Sequence, residues 1–280
     1  MRASGYYCAE DDLFKAVNCS LKTSKKYLAN LEKITTSWAG KGLIDPLQNL
    51  RNEPIYLWSG RRDATVHQAA VNALRSYYGD FGADVFQYDN QFAAGHGWES
   101  PYGPAQCNLT QSPFINLCYD SSHRVYDSEQ VWLSRFLGNL QPKNEATLNG
   151  AVLPLNQNEF ASGGGAAGIS MAGTGYVFVP QICASGAACG LVLALHGCAQ
   201  GDHAIGKTFI NDAGINQWAD SNNIVVLYPQ AVASPSNLFG CWDWWGYLGD
   251  SAYAQKNGQQ IKALYKMVAR ASGGSATRVR

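Results

Sequence analysis

The sequence has few charged residues and no long apolar run. Charged residues make up 15% of the 280, against about 25% in an average soluble domain, and 21 basic residues balance 21 acidic ones. A chain with zero net charge gives no electrostatic basis for binding nucleic acid or an acidic membrane surface. No stretch approaches the roughly 18 consecutive apolar residues of a membrane span. The composition therefore favours an uncharged binding partner.

Zinc-type cysteine spacing and an export leader are also absent. None of the eight cysteines forms a C-x-x-C pair, and histidines at zinc spacing are missing, so we expect no metal. Disulfides formed in an oxidising compartment are the favoured interpretation, with free buried thiols as the alternative. The spacing suggests these pairs: Cys8 with Cys19, Cys107 with Cys118, Cys183 with Cys189, and Cys198 with Cys241. The first twelve residues lack the apolar segment of a signal peptide. We therefore expect an extracellular protein whose true beginning lies outside this sequence.

Strand and helix patterns alternate along the chain. Apolar and β-branched runs predict strands at 54–60, 83–88, 174–180, 191–195 and 224–228. Helical periodicity predicts helices at 64–78, 127–140, 209–222 and 254–270. This alternation indicates an α/β fold in which a mostly parallel sheet is flanked by helices, as a single domain over 1–280. The Gly- and Asn-rich stretch 141–172 reads as a surface connection with one hairpin arm at 147–153, and the tail 271–280 as frayed.

A carboxylate and a histidine follow two of the predicted strands. Asp63 comes after the strand at 54–60, where a carboxylate can orient a histidine, although Asp is also a favoured helix N-cap. His96 lies between two glycines in a loop after the strand at 83–88, and a plain loop histidine is the alternative. The order Asp then His, about 30 residues apart, is that of hydrolases. The other histidines are weaker candidates: His67, His123, His196 and His203.

The turn His196-Gly197-Cys198 follows the strand at 191–195. In α/β-hydrolases a strand-end loop of this kind supplies an N–H to the oxyanion hole and normally precedes the nucleophile. Here it comes after the acid and the base, which indicates a circular permutation. The Cys198 N–H is the candidate oxyanion donor, and a plain tight turn stapled by a disulfide is the structural alternative.

An aromatic cluster lies near the carboxyl end of the chain. The segment from Cys241 to Tyr247 contains Trp242, Trp244 and Trp245. Such clusters line grooves that bind apolar or polymeric ligands by stacking. Core packing is the usual role of Trp, and we expect at least one of the three to lie in the core. The others are candidates for a wall of the cleft.

Together these residues resemble the single-domain polyhydroxybutyrate (PHB) depolymerases, which are secreted esterases with a circularly permuted α/β-hydrolase fold. The resemblance covers nearly the whole chain: GYYCA at 5–9, YLWSGRRDATV at 56–66, TGYVFVP at 174–180, LHGCAQ at 195–200, NQWADSNNIVVLYPQA at 216–231 and GCWDWWGY at 240–247. It implies four disulfides from the eight cysteines and no cofactor. It also implies triad roles for Asp63 and His96, an oxyanion N–H at Cys198, and polymer contact by Trp244.

The resemblance also implies a serine that this sequence does not supply. In the family the nucleophile elbow precedes the GYYCA-like segment by about thirty residues, and Met1 stands directly before that segment. Ser162, Ser170 and Ser272 lie in glycine-containing stretches, but none has the strand before it and the helix after it that an elbow requires. We therefore expect an N-terminally truncated chain that lacks central strands and the nucleophile elbow, with 141–172 joining the permuted halves. A genuine pseudoenzyme is the alternative.

The leading hypothesis is a Ser-His-Asp carboxylic-ester hydrolase of the PHB depolymerase type, inactive as this chain stands. Its expected partner is a polyester or another uncharged ester polymer, and we expect a monomer. A feruloyl or acetyl-xylan esterase is the alternative within the enzymes, since LHGC-type loops recur among such esterases. A non-catalytic polymer-binding protein is the alternative from another class.

Overall fold

The computed structural model describes residues 8–9, 12–19 and 25–273. Its α-helices are α1 (Leu13–Cys19), α2 (Lys25–Gly40), α3 (Gln68–Asp80), α4 (Ser128–Leu137), α5 (Gln181–Ala184), α6 (Asp202–Ile205), α7 (Thr208–Asp212), α8 (Ile215–Ser221) and α9 (Gln259–Ala271). Its strands are β1 (Pro54–Trp58), β2 (Asp84–Asp89), β3 (Trp98–Glu99), β4 (Ala105–Gln106), β5 (Ile115–Leu117), β6 (Ala151–Asn156), β7 (Thr174–Val179), β8 (Gly190–Leu193) and β9 (Ile224–Tyr228). Residues 274–280 of the predicted frayed tail lie outside the described residues.

The chain divides into two compact units. The first comprises Met1–Glu99, Gly103–Tyr126 and Asp243–Gly258, and it contains α1–α3 and β1–β5. The second comprises Ser100–Tyr102, Asp127–Trp242 and Gln259–Arg280, and it contains α4–α9 and β6–β9.

A parallel strand pair forms the centre of the first unit. β1 and β2 pair in parallel, with Trp58 opposite Asp89. Leu57 of β1 packs in a buried cluster with Val66 and the α3 residues Ala70 and Val71. The predicted helix at 64–78 begins only at Gln68. His67, directly before it, is extended with a ψ of 146°, and residues 64–66 form a bend in which the Thr65 and Val66 N–H groups donate to the Asp63 side chain.

A small three-stranded sheet supports the loop that contains His96. β3 and β4 both pair in parallel with the central β5. Beside it, Phe92 and the fully buried Cys118 form a core with Trp58 and Tyr126. The ring centroids of Phe92 and Tyr126 lie 4.7 Å apart, within the range of favourable aromatic pairs. The His96 loop therefore stands on a packed aromatic base.

The second unit is built on a four-stranded sheet in the order β6-β7-β9-β8. β8 and β9 pair in parallel, whereas β6–β7 and β7–β9 pair antiparallel. Four of the six pairings between described strands are parallel, as expected, while the largest of the three sheets is mixed. Phe178 of β7 and Val226 of β9 pair in the core with at most 1% exposure. The sequence misses this because a buried antiparallel strand has the same apolar run as a parallel one.

The helix predicted at 209–222 is two helices, α7 and α8. Between them Gly214 adopts a φ of 82°, in the left-handed region that favours glycine. A Cβ at Gly214 would lie 3.1 Å from Ser100 Oγ, and the Ser100 hydroxyl donates to the carbonyl oxygen of Asp212 at 2.6 Å. Ser100, which is distant in sequence, thus donates to the Asp212 carbonyl oxygen, which would accept a backbone N–H in a continuous helix.

The connection at 141–172 is more regular than expected. Its strand β6 covers 151–156 rather than 147–153, and 3₁₀ turns follow at 157–159 and 166–169. Its beginning is tied to α8 through Asp220, whose carboxylate accepts the N–H groups of Asn149 and Gly150 and the Asn144 side-chain amide. Burial raises the pKa of Asp220, but these three donors and the side-chain amide of Asn149 outweigh burial and leave the pKa below its usual value.

All eight cysteines form disulfides, in the pairs that the spacing suggested.

The helix predicted at 254–270 begins later, as α9 at Gln259, because Gly258 closes a turn in which a Cβ would lie 2.8 Å from two carbonyl oxygens. Within the described part of the chain, no helix has the length and apolarity needed to span a bilayer.

Candidate active site

Asp63 and His96 form a hydrogen-bonded pair at the carboxyl ends of β1 and β2. The distance from Asp63 Oδ2 to His96 Nδ1 is 2.8 Å. The other carboxylate oxygen, Oδ1, accepts the N–H groups of Thr65 at 2.8 Å and Val66 at 2.7 Å. The Asp63 side chain is 10% exposed and the His96 ring 38% exposed. Both carboxylate oxygens are thus engaged, so the carboxylate has one orientation and fixes the ring.

Backbone hydrogen bonds hold the two loops together. The Arg62 N–H donates to the Ala94 carbonyl oxygen at 2.9 Å, and the Arg61 N–H donates to Phe92 at 2.8 Å. Gly60 has no room for a side chain, since a Cβ there would lie 2.1 Å from the Ala94 oxygen. Because the backbones of the two loops are in direct contact, the fold itself fixes the relative position of Asp63 and His96.

This arrangement fixes the tautomer of His96. An ionised carboxylate only accepts hydrogen bonds, so Nδ1 carries the proton that points at Asp63. Nε2 is then the unprotonated nitrogen of a neutral ring, the form that acts as a general base in a Ser-His-Asp triad. Among the described residues, no side chain forms a hydrogen bond with Nε2 of His96.

The serines weighed as substitutes do not have the environment of a nucleophile. Ser170 is 2% exposed, and its hydroxyl donates to the Val232 carbonyl oxygen at 2.8 Å. It ends a 3₁₀ turn and is not followed by an α-helix. Ser162 and Ser272 are exposed: Ser162 lies in an irregular loop and Ser272 in the turn after α9.

The Cys198 turn presents a backbone N–H. Ala199 has a φ of 57°, and its N–H donates to the Phe239 carbonyl oxygen at 2.6 Å. The Gly197 N–H donates to the side chain of Gln200 at 2.8 Å. Among the described residues, no acceptor engages the N–H of Cys198. The neighbouring amides are thus bonded internally, while this one can serve an external oxygen.

His196 fixes this turn from inside the second unit. Its ring is 1% exposed, Nε2 accepts the Ala231 N–H at 3.1 Å, and Nδ1 lies 2.7 Å from the Gly197 carbonyl oxygen. Nδ1 therefore carries the proton of a neutral ring. Burial is the largest effect and lowers the pKa of His196 to about 4. These contacts give His196 a structural role in the turn.

The buried His196 should make folding sensitive to mild acid. The folded pKa lies below the unfolded value of about 6.5, so the unfolded chain takes up the proton first as the pH falls. The stability from the neutral ring is complete above about pH 6.5 and is lost towards pH 4. Between pH 7 and pH 5 we expect the wild type to lose about 2 kcal/mol more unfolding free energy than His196→Gln, measured by urea denaturation. The exposed-histidine control His67→Gln should behave as wild type, and equal losses in all three proteins would contradict the role.

The tryptophans of the aromatic cluster have different surroundings. Trp242, in the second unit, donates through Nε1 to the His196 carbonyl oxygen at 3.1 Å, with its ring 5.4 Å from the imidazole. Trp244 and Trp245, in the first unit, have ring centroids 5.2 Å apart, and Trp245 lies 4.7 Å from Tyr247. All three indoles are half-buried, so each keeps an accessible part.

Asp243 organises the turn between these aromatic residues. Its Oδ1 accepts the N–H groups of Gly246 at 2.8 Å and Tyr247 at 3.0 Å. Burial raises the pKa of Asp243 to about 6, although these donors act in the opposite direction. In the described part of the chain, no group of three or more His, Cys, Asp or Glu residues could hold a metal ion.

Of the residues predicted from the sequence, the structure brings Asp63 and His96 into hydrogen-bond contact and places Cys198 on the turn that His196 contacts. Sequence reasoning missed the residues that hold the His96 backbone. The N–H of His96 donates to Thr110 Oγ1 at 2.8 Å. The nearest sequence signal was the pattern Asn108-Leu109-Thr110, which by itself indicates only a possible glycosylation site.

Two relatives match the chain over most of its length. A poly(3-hydroxybutyrate) depolymerase of Delftia acidovorans is 38% identical over 278 residues, covering 96% of this chain and 53% of the relative. A polyhydroxybutyrate depolymerase of Talaromyces funiculosus is 37% identical over 249 residues, covering 83% of this chain and 69% of the relative. The chain thus spans about half the length of the Delftia protein. No profile of a known protein family matches it.

Two solved structures have the same fold. One is a PHB depolymerase from Penicillium funiculosum, with a TM-score of 0.83 and 33% identity, over 98% of this chain and 86% of that one. The other is a serine-to-alanine variant of a PHB depolymerase complexed with an R3HB trimer, with a TM-score of 0.82 and 35% identity, over 97% of this chain and 85% of that one.

Parallel strand pairs covered by helices, with an aspartate and a histidine joined at the strand ends, define an α/β-hydrolase-type protein. The identities to both relatives and the agreement of the folds specify the group more closely. The chain belongs to the polyhydroxybutyrate depolymerase family, which confirms the resemblance found in the sequence.

Proposed function

We propose that this chain carries the acid–base part of a serine-dependent carboxylic-ester hydrolase that acts on polyhydroxybutyrate-type polyesters. The single observation that carries the proposal is the 2.8 Å contact between His96 Nδ1 and an Asp63 carboxylate that is also held by two backbone N–H groups. A carboxylate fixed in this way keeps the imidazole in one tautomer and stabilises its protonated form during the reaction.

In the proposed mechanism, a serine hydroxyl at Nε2 of His96 attacks the ester carbonyl carbon. Nε2 takes the hydroxyl proton as the Ser–carbon bond forms, and returns it to the alkoxide that leaves as the ester C–O bond breaks. Water then repeats the sequence on the acyl-enzyme, releasing the acid and freeing the serine. The oxyanion role of the Cys198 N–H, which has no acceptor among the described residues, stays a prediction from the resemblance.

The proposed chemistry needs a serine that no described residue of this chain offers to His96. We therefore propose that the 280-residue polypeptide alone does not hydrolyse esters. The active form in our experiments is this chain fused behind the serine-bearing segment of a PHB depolymerase, here called the chimera. We also propose that the fold is circularly permuted, and that the central strands of the sheet belong to the same segment as the serine.

The proposed substrate is an uncharged ester polymer. The chain has equal numbers of acidic and basic residues, and the half-buried Trp242, Trp244 and Trp245 offer stacking surfaces rather than charge. Both relatives are named as depolymerases of this polyester. Four disulfides fit an extracellular protein. We propose a secreted monomer that needs no cofactor.

Product release from polymer film tests this function. We expect the chimera to release soluble hydroxybutyrate from polyhydroxybutyrate film, and Trp244→Ala to lower film hydrolysis about 10-fold while hydrolysis of p-nitrophenyl butyrate stays within twofold. Trp132→Ala, which changes a half-buried indole on α4, is the matched control.

The same assay separates the other functions. If the chimera hydrolyses acetylated xylan but not film, the substrate is a plant polysaccharide ester and not the polyester. Two results together would support a binding protein in place of an enzyme. The folded 280-residue chain would pellet with polyester granules, and the chimera would show no esterase activity.

A further inference from the structure

The loop that follows β4 holds the backbone of His96. The His96 N–H donates to Thr110 Oγ1 at 2.8 Å, and the Gly95 N–H donates to the Cys107 carbonyl oxygen at 2.8 Å. Two consecutive amides before the imidazole therefore bond the same loop. The contact is tight, since a Cβ on Gly95 would lie 2.5 Å from the Leu109 carbonyl oxygen.

A buried asparagine and a disulfide hold this loop in place. The amide group of Asn116, a residue 2% exposed, donates to the carbonyl oxygens of Cys107 at 3.2 Å and Leu109 at 3.0 Å. The disulfide between Cys107 and the fully buried Cys118 closes the same segment. The Asn116 hydrogen bonds and the disulfide therefore restrict the conformation of the loop that carries the Thr110 hydroxyl.

The bond from Asp63 does not by itself determine where His96 lies. A single contact at Nδ1 fixes one end of the ring, while the position of Nε2 also depends on the backbone from which the ring projects. Glycine on both sides gives that backbone wide conformational freedom. The Thr110 acceptor removes this freedom at the residue that carries the ring.

We propose that Thr110 is a positioning residue for the Asp63–His96 pair, and that its hydroxyl oxygen holds the His96 backbone so that Nε2 points to the reacting serine. The catalytic meaning of this inference rests on the proposed function. The geometric part of the inference does not, because the hydrogen bond at His96 Nδ1 is formed between described residues and needs no serine at Nε2. A displacement of about 1 Å at a reacting group can cost about 100-fold in rate.

The test uses three variants, of which only one removes the hydroxyl. Thr110→Val keeps the shape and removes the acceptor, whereas Thr110→Ser keeps the acceptor. Asn108→Gln is the matched control, because it destroys the Asn108-Leu109-Thr110 glycosylation pattern, as Thr110→Val also does, and leaves the hydroxyl in place. Both Thr110 and Asn108 are exposed residues, so all three variants should fold.

The first readout is the exchange rate of the His96 Nδ1 proton with water, measured by NMR on the ¹⁵N-labelled 280-residue chain and assigned with His96→Gln. We expect exchange at least 10-fold faster in Thr110→Val, and rates within twofold of wild type in Thr110→Ser and Asn108→Gln. The second readout is ester hydrolysis by the chimera, where Thr110→Val should lower kcat about 10- to 100-fold with KM within twofold.

Two results would overturn the inference. One is an unchanged proton exchange rate in Thr110→Val. The other is a loss in Thr110→Ser as large as in Thr110→Val, which would make the effect one of packing. If the chimera hydrolyses no ester while Thr110→Val still speeds exchange and Thr110→Ser does not, the proposed function fails and the positioning role stands.

Discussion

The 280-residue chain is expected to hydrolyse p-nitrophenyl butyrate about 10⁶-fold more slowly than the chimera, because the members of a catalytic triad act as a unit. His96 can accept a proton and Asp63 can orient it, but without a hydroxyl at Nε2 no acyl-enzyme forms. The experiment compares initial rates of p-nitrophenol release at equal protein concentration. Circular dichroism of the 280-residue chain should show that its secondary structure is formed.

Ser170→Ala is the control for this comparison, because Ser170 approaches a nucleophile motif in sequence. Its hydroxyl is buried and bonded to the Val232 carbonyl oxygen, so we expect the substitution to leave the residual rate of the 280-residue chain unchanged. Clear turnover by the unmodified chain that disappears in Ser170→Ala would mean that the nucleophile lies in this chain.

The second large effect is expected from Asp63→Asn, which should lower kcat of the chimera about 10⁴-fold. The asparagine oxygen can still accept the N–H groups of Thr65 and Val66, so the turn survives. Its amide group then faces His96 as a donor and favours the tautomer with the proton on Nε2, which cannot take a proton from serine. Initial rates on p-nitrophenyl butyrate at saturating substrate give kcat directly.

Asp120→Asn is the matched control for the change at Asp63. Asp120 Oδ1 also accepts two backbone N–H groups, from Ser122 at 2.8 Å and Arg124 at 3.0 Å, but among the described residues no histidine contacts its carboxylate. The donors at Arg124 and Ser122 lower the pKa of Asp120, so the carboxylate is ionised in the assay. We expect Asp120→Asn to stay within twofold of wild type. A similar small effect of Asp63→Asn would show that the pair has no catalytic role.

Local sequence patterns predicted the elements that depend on local physics. The strand at 224–228 and the pair at 54–60 and 83–88 appear almost as expected, because apolar β-branched runs have few other stable environments. The contact between Asp63 and His96 could be predicted for a related reason. Polar residues directly after parallel strands meet at one edge of a sheet, so their proximity follows from the strand assignment.

The features that the sequence did not reveal depend on distant contacts. Nothing near residue 213 indicates that Ser100 takes the carbonyl of Asp212 and splits a helix. The antiparallel pairing of β6 with β7 depends on which strands become neighbours, and apolar runs do not encode this. Thr110 acts on His96 from fourteen residues away, across a disulfide-closed loop, and its type alone suggests only a surface residue.

The central claim is that the Asp63–His96 pair activates a serine hydroxyl, and the rate of serine phosphonylation tests it most directly. A fluorophosphonate probe reacts with an activated serine without any contribution from polymer binding. We expect the chimera to be labelled at its serine, the 280-residue chain to remain unlabelled, and His96→Ala to slow labelling of the chimera by at least about 10³-fold. Labelling of the His96→Ala chimera at the unmodified rate would contradict the claim.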